Sequence, residues 1–432
     1  MRHNYLRGGW VASPFLGFWL LTALPAASQD MARVRQTLTV LTSKRLHGRG
    51  YTHRGDQRAA AYLAKRFKTL GLKSWTKKYR QPFPLAVNTF PGALSVTLGK
   101  HVLRPGKDFI PDPTSGSLQE KLAVVYFDTL AFTDPVSLSK LLQQDLRHTA
   151  VVYSQAVQAR LAQRPELVAK LTQASAVVVL TTDKLTASVA ATQRGQARLI
   201  VRAAAWPTRE AWLSLNIEAN LLPRYVTQNV LGYVPGTAVP DSFVVVAAHY
   251  DHLGELGRKA YFPGANDNAS GTAMLLELAA YFAQPAHRLR YSVAFIGFSG
   301  EEAGLLGSQF FVHQPTIPLA NIRFLLNLDL VGTGAEGITV VNGKVHAAEF
   351  QLLQQLNSES GAIGSIAARG QAANSDHFPF SEYQVPAFFW YTRGGTAAYH
   401  DVHDQAPQLP LTLFPQVFDL AKRFLTKITR TL

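Results

Sequence analysis

Phe243-Val244-Val245-Val246-Ala247-Ala248-His249-Tyr250-Asp251 is the stretch on which the fold turns. Apolar residues run unbroken from Phe243 to Ala248, and metal-type side chains follow at once. A short, continuous apolar run is what a strand in a parallel sheet needs when both of its faces are covered. The same texture recurs at Tyr291–Phe298, Phe324–Leu330 and Ala387–Tyr391, with Gly271–Phe282 reading as a helix between them. Asn229–Tyr233 reads as a further strand, closed by a turn at Pro235-Gly236. This alternation specifies an α/β fold whose central sheet carries helices on both faces.

Working outward, Met31–Thr42 has helical spacing, and Leu46-His47-Gly48-Arg49-Gly50 reads as a loop. Asp56–Leu70 predicts an amphipathic helix with Ala60, Leu63, Phe67 and Leu70 on one face and Gly71 as its stop. Leu94, Val96 and Leu98 alternate as in a strand. Residues 113–206 carry short strands (122–126, 150–153, 176–180, 198–201) separated by helical segments (136–146, 154–174), with no catalytic constellation. They read as a smaller inserted α/β domain, which leaves 29–112 and 207–432 to form the main domain. Residues 1–28 read as a secretory signal: Arg2 and Arg7, an apolar core from Trp10 to Leu24, and Ala26-Ala27-Ser28 as the cleavage site before Gln29. The expectation is an exported protein, periplasmic or extracellular, with no membrane span after cleavage.

The 432 residues hold no cysteine, so disulfides, thiol nucleophiles and Cys-ligated zinc are excluded, and any metal site must be built from His and carboxylates. A formal charge of +15 raises nucleic-acid or envelope binding. The cations are spread along the chain, and the group Lys65, Arg66 and Lys68 falls on a predicted helix as a solvated face. No basic run interleaves with stacking aromatics, so no nucleic-acid partner is expected.

The chemistry lies in where the metal-type residues fall. His249 and Asp251 end one strand; Asp267 sits in the loop before a helix; Glu301 and Glu302 follow the Tyr291 strand; Asp329 ends the Phe324 strand; His400 lies in the loop after the Ala387 strand. Open α/β sheets bind ligands at the carboxyl ends of their strands, so these scattered residues can share one crevice. Two His and three carboxylates suit a pair of Zn²⁺ or similar divalent ions. Asp267 is the candidate bridge, with His249 and Asp329 on one ion and Glu302 and His400 on the other. A water between the ions would become a hydroxide nucleophile. Of Glu301 and Glu302, one binds metal and the other serves as proton shuttle.

The motifs VVVAAHYDHLG, PGANDNASGTA, FIGFSGEEAGLLGS, NLDLVG, SDHFPF and YHDVHD, in this order from about Gln228 to the C-terminus, resemble the M28 family of zinc aminopeptidases. The resemblance implies a zinc-exopeptidase-like, mixed and mostly parallel sheet, with the insertion placed where some members carry a protease-associated domain. It implies two zinc ions on His249, Asp267, Glu302, Asp329 and His400. It further implies Glu301 as general base, Asp251 as the carboxylate orienting His249, and Tyr399 as a stabiliser of the oxyanion. Peptides are the implied substrates.

Other readings of these residues are blander. Asp267 could simply cap the helix beginning near Ser270, although Asn268 and Ser270 can do that work. His403 competes with His400; Asp404, four residues beyond His400, matches the family's spacing, while the family's Pro is missing. His252, Asp376 and His377 are polar residues near the site, with Asp376 read as structural. At the level of function the alternatives are a glutaminyl cyclase, a single-zinc transferase on the same fold, and a non-catalytic binding ectodomain; the latter would be expected to have lost ligands.

Overall fold

In this computed structural model the described residues are 1, 3, 4, 29–206 and 210–431, so the signal segment lies outside them apart from its first positions. The chain builds two eight-stranded mixed sheets. The first runs, edge to edge, through Arg80–Thr89, Asn220–Val234, Tyr291–Phe298, Val239–His249, Ile322–Leu328, Ala387–Thr392, Ile338–Val341 and Ile366–Ala368. Its middle four strands, Tyr291–Phe298 to Ala387–Thr392, are mutually parallel. They are the strands read from the sequence, with ends shifted by one or two residues except for the strand read from Phe243, which begins four residues earlier at Val239.

The unbroken apolar run from Phe243 is explained by packing on both sides. Val244, Val246 and Ala248 join a core formed with the helices Met31–Leu41, Gly55–Thr69, Gly271–Phe282 and Phe414–Thr431. Phe243, Val245 and Ala247 join the opposite core, with Phe311 and Phe380 from the helices Leu306–His313 and His377–Glu382. Successive side chains thus serve opposite faces, as strand geometry dictates.

The chain leaves this sheet at Thr89 and returns at Asn220, which are paired across antiparallel strands. Between them it forms the second sheet, in the order His101–Leu103, Leu94–Leu98, Trp212–Ile217, Leu118–Tyr126, Thr149–Ser154, Ala176–Thr181, Ala197–Arg202 and Phe109–Pro111. Several of its strands, such as Leu94–Leu98 and Trp212–Ile217, lie beyond the 113–206 segment read from the sequence. The segment 154–174 is two helices, Gln155–Leu161 and Pro165–Leu171. Pro165 explains the break, because it has no N–H for a continuing helix and suits a first turn.

The helix Gly55–Thr69 is fixed to the first sheet by a buried carboxylate. Asp56 accepts hydrogen bonds from the hydroxyls of Tyr225 and Thr227, each at 2.6 Å. Burial pushes its pKa up to about 6, against the pull of these donors. A carboxyl whose folded pKa is raised favours the protonated fold, so its contribution is largest below the unfolded value near 4 and is lost as pH rises to 6. The shift of about two units corresponds to about 3 kcal/mol. Chemical denaturation between pH 4 and 7 should therefore show wild type losing stability relative to Asp56→Asn by roughly that amount; parallel curves for the two proteins would contradict this.

Candidate metal centre

The carboxyl ends of the parallel strands deliver the predicted residues to one place. His249 is the last residue of its strand, and Asp329 directly follows the strand Ile322–Leu328. Glu301 and Glu302 lie in the turn after Tyr291–Phe298. Asp267 sits in a wide helical turn, Ala265–Ser270, that leads into the helix Gly271–Phe282. That helix is capped by Asn268, whose Oδ1 accepts from the Gly271 N–H at 2.8 Å, so Asp267 is released from capping.

The Asp267 carboxylate has a different set of neighbours at each oxygen. Oδ1 lies 3.4 Å from His249 Nε2, which is also 3.4 Å from Asp329 Oδ1. Oδ2 lies 3.0 Å from His400 Nε2, which is 3.1 Å from Glu302 Oε2. The five residues thus fall into two pairs on either side of one carboxylate.

Each is held from behind. Asp329 Oδ2 accepts from Ser375 Oγ at 3.0 Å, and Ser375 in turn accepts from Asn327 Nδ2 at 2.8 Å. Glu302 Oε1 lies 2.6 Å from His252 Nδ1. Asp251 lies behind His249, its Oδ1 3.7 Å from Nδ1 and its carbonyl oxygen 3.3 Å away, and its Oδ2 accepts from the Tyr51 hydroxyl at 2.8 Å. Asp404 caps the Asp267 turn, accepting from the N–H groups of Asn266 and Asp267. His403, the rival of His400, is exposed and lines a separate cavity with Lys107 and Arg202.

The electrostatics call for cations. Burial lowers the His249 pKa, but Asp329, Glu301 and Asp251 together raise it well above the ordinary imidazole value. His400 is carried up to about 11, burial being outweighed by Glu302 and Asp267. The histidines here take positive charge because the carboxylates demand it. Asp329 Oδ1 is buried with no hydrogen-bond partner, a costly state for such an atom. An unsatisfied carboxylate oxygen inside a His/carboxylate set without thiolates fits divalent ions of the zinc type. His249 with Asp267 and Asp329, and His252 with Asp267 and Glu302, each converge closely enough to hold an ion. His252 also reaches Glu302 through the short contact above, on the side opposite His400's contact with Oε2.

Glu301 also converges with His249 and Glu302 closely enough to hold an ion. Burial pushes its carboxyl well above the carboxylate range; His249 opposes this, and Glu302, Asp376 and Asp329 add to it. Asp376 is itself raised to about 7 by burial. Tyr399 stacks on the His400 ring, centroids 4.0 Å apart, and is partly exposed. Both line a cavity of about 290 Å³ with Glu301, Leu330, Phe389, Tyr391, Asn374 and Arg369.

Arg49 and Arg369 are among the residues that escaped the sequence reading. Arg49 is fully buried and donates to the carbonyls of Tyr250, Leu41, Pro263, Gly264 and Asp267. The signal was its flanking glycines: a Cβ at Gly48 or Gly50 would come within 2.4 Å of the Gly254 backbone. Arg369 is exposed, lines the cavity, and has no ion-pair partner among the described residues.

A mixed α/β sheet thus brings a His/carboxylate cluster to the ends of its parallel strands. Residues 229–425 match the model of Peptidase family M28. Over 191 residues it is 32% identical to the aminopeptidase YwaD of Bacillus subtilis, covering 42% of this chain and 39% of that protein. Over 113 residues it is 38% identical to a probable zinc metalloprotease of Pyricularia oryzae, covering 25% of this chain and 22% of that protein. The matched stretches thus span well under half of these relatives. The fold is shared with BSAP, a zinc aminopeptidase from Bacillus subtilis, at a TM-score of 0.68 and 18% identity over 92% of this chain and 94% of the other. A peptidase M28 precursor from Shewanella amazonensis gives a TM-score of 0.68 at 15% identity, covering 92% of each chain.

Replacing Arg49 by Met leaves several buried carbonyls without a donor and should lower unfolding free energy by about 3 kcal/mol or more. Equilibrium denaturation of the metal-free chain measures it, and a change under 1 kcal/mol would mean water or relaxation fills the gap.

Proposed function

We propose that the protein is a two-zinc aminopeptidase, exported and acting on peptides. The observation that carries this reading is the Asp267 carboxylate, with His249 and Asp329 beside one oxygen and His400 and Glu302 beside the other. In this reading His249 and Asp329 hold one ion, Glu302 and His400 the other, and Asp267 both. Bound ions would lower the pKa of a water and polarise the scissile carbonyl.

The chain's own groups then have separable tasks. Glu301 takes the proton of the attacking water on its carboxylate and returns it to the amine of the departing fragment, so the proton count closes. Its location beside His249 and Glu302 suits that shuttle. Tyr399 donates its hydroxyl hydrogen to the oxygen that becomes negative; burial and the carboxylates of Asp267 and Glu302 raise its pKa, so it keeps that hydrogen at neutral pH. Asp251 holds His249, and Tyr51 holds Asp251. The wall of Leu330, Phe389 and Tyr391 receives apolar side chains of the substrate.

Glu301→Gln is expected to retain two zinc ions while turnover of an aminoacyl amide falls by about 10²–10⁴. Metal analysis beside steady-state kinetics tests this; undiminished kcat in that variant would remove Glu301 from the chemistry. Capping the substrate amine with acetyl should abolish cleavage, and chelator treatment should do the same until zinc is restored.

Arg369 gives the cavity a cation without a carboxylate partner, and it fits a substrate carboxylate near the scissile bond, as in short peptides. Arg369→Ala should raise KM for free dipeptides about tenfold, in line with a lost charge-assisted hydrogen bond of about 1.5 kcal/mol. C-terminally amidated versions should be unaffected; equal changes for both would rule the contact out.

A further inference from the structure

The first-sheet ligands are braced from within the first sheet: His249 by Asp251, Asp329 by Ser375, and Glu302 by His252. His400 is different. Its Nδ1 lies 2.9 Å from the carbonyl oxygen of Ala187, and the Ala187 N–H donates to the His400 carbonyl at 2.9 Å. Ala187 belongs to the loop between Ala176–Thr181 and Ala197–Arg202, two strands of the second sheet. A carbonyl can only accept, so this contact requires hydrogen on Nδ1 and, in the neutral ring, leaves the lone pair on Nε2. Nε2 is the atom that faces Asp267 and Glu302.

The same loop secures the backbone on which His400 sits. Lys184 Nζ donates to the carbonyls of Ala397 at 2.7 Å and Tyr399 at 2.8 Å, and lies 3.3 Å from Asp401 Oδ2. Leu185 and Ala187 are buried against Val402, Leu253 and Phe262. The loop is itself tied down, with the Asn88 N–H donating to the Ala190 carbonyl at 2.7 Å. His400 has a φ of +53°, in the left-handed region that is uncommon outside glycine. The Lys184 and Ala187 contacts hold the backbone at that point.

We infer that the 182–190 loop of the second sheet is a working part of the metal centre: it sets the tautomer and aim of His400 and thereby the occupancy of the Glu302–His400 ion. This rests on the two-ion reading above. Lys184 and Ala187 are positioning residues, acting through His400 without touching the ion. The second sheet then has a function that its lack of catalytic motifs concealed. It supplies the brace without which the fifth ligand is not presented.

The test titrates the metal-free full-length chain with zinc against a chromogenic chelator. Wild type is expected to take up two ions. In Lys184→Ala and Lys184→Met, whose side chain is half exposed and not part of a core, the affinity for one ion should fall 10- to 100-fold and the other should be unchanged, the range typical of lost outer-shell support. Lys184→Arg should recover part of the loss. Adding Lys184→Ala to His400→Ala should cause no further fall, because the two act on one ligand. The inference is overturned if wild type binds two ions and His400→Ala loses one, yet the Lys184 variants bind zinc like wild type, or if the losses add in the double variant. A wild type that binds a single ion, or a His400→Ala chain with full affinity, overturns the two-ion reading first and the inference with it.

Discussion

The Arg49 guanidinium, buried among five main-chain carbonyls, is the contact on which the rest of the site depends. Its acceptors come from the end of the first helix, from the residue after His249, and from the turn that carries Asp267. One planar cation therefore fixes the N-terminal segment, a strand end and the bridging loop relative to each other. Burial brings its pKa down to about 10, and Asp267, Asp404, Asp251 and Glu302 keep it charged. A lysine has one point of charge and could not satisfy this fan of acceptors. The close approach needs Gly48 and Gly50, since any Cβ there would strike the Gly254 backbone.

A centre so rich in carboxylates would repel itself without positive charge. Arg49 supplies a fixed cation beneath the Asp267 turn, and the rest must come from protons on the histidines or from metal ions in their place. This explains why His249 and His400 are raised while Glu302 is held well below the carboxylate range by His400 and His252, against the effect of burial. Glu301 has a weaker claim on those cations and moves the opposite way. Neighbouring carboxylates in the chain thus differ in proton affinity before any metal charge is added.

How much of this was legible in the sequence follows from the range of the interactions. Strand ends were readable because burial on both faces makes a strand uniformly apolar, and a buried Asp or His at its end has no bland explanation. That logic pointed to His249 and Asp329, and to Glu301 and Glu302 in the turn after a strand, while Asp267 was read in the loop before a helix, where a helix cap was the rival reading. Pro165 was present in the sequence, yet its helix break was overlooked because the flanking apolar spacing ran through it. Arg49, Tyr51, Asp56 and Arg369 were not legible as site residues. The partners of Arg49 are main-chain atoms, which carry no sequence code; Tyr51 and Asp56 meet side chains some 170 to 200 residues away. The paired glycines around Arg49 were the one local clue.

His400 lies at the boundary between these cases. Its spacing from Asp404 pointed to it, and Asp404 does sit under the Asp267 turn, so the four-residue interval joins the proposed ligand to the cap of that turn. Yet the spacing says nothing about what holds the ring. His249, Asp329 and Glu302 inherit their positions from strand ends in a sheet whose hydrogen bonds fix them. His400 lies beyond the last of those strands, on an exposed loop with a left-handed backbone, where local preference would let the side chain turn away. A ligand in that situation must be held by something outside its own sheet. The carbonyl of Ala187 and the ammonium of Lys184 meet that need, so the segment with no chemistry of its own lies where the chemistry requires support.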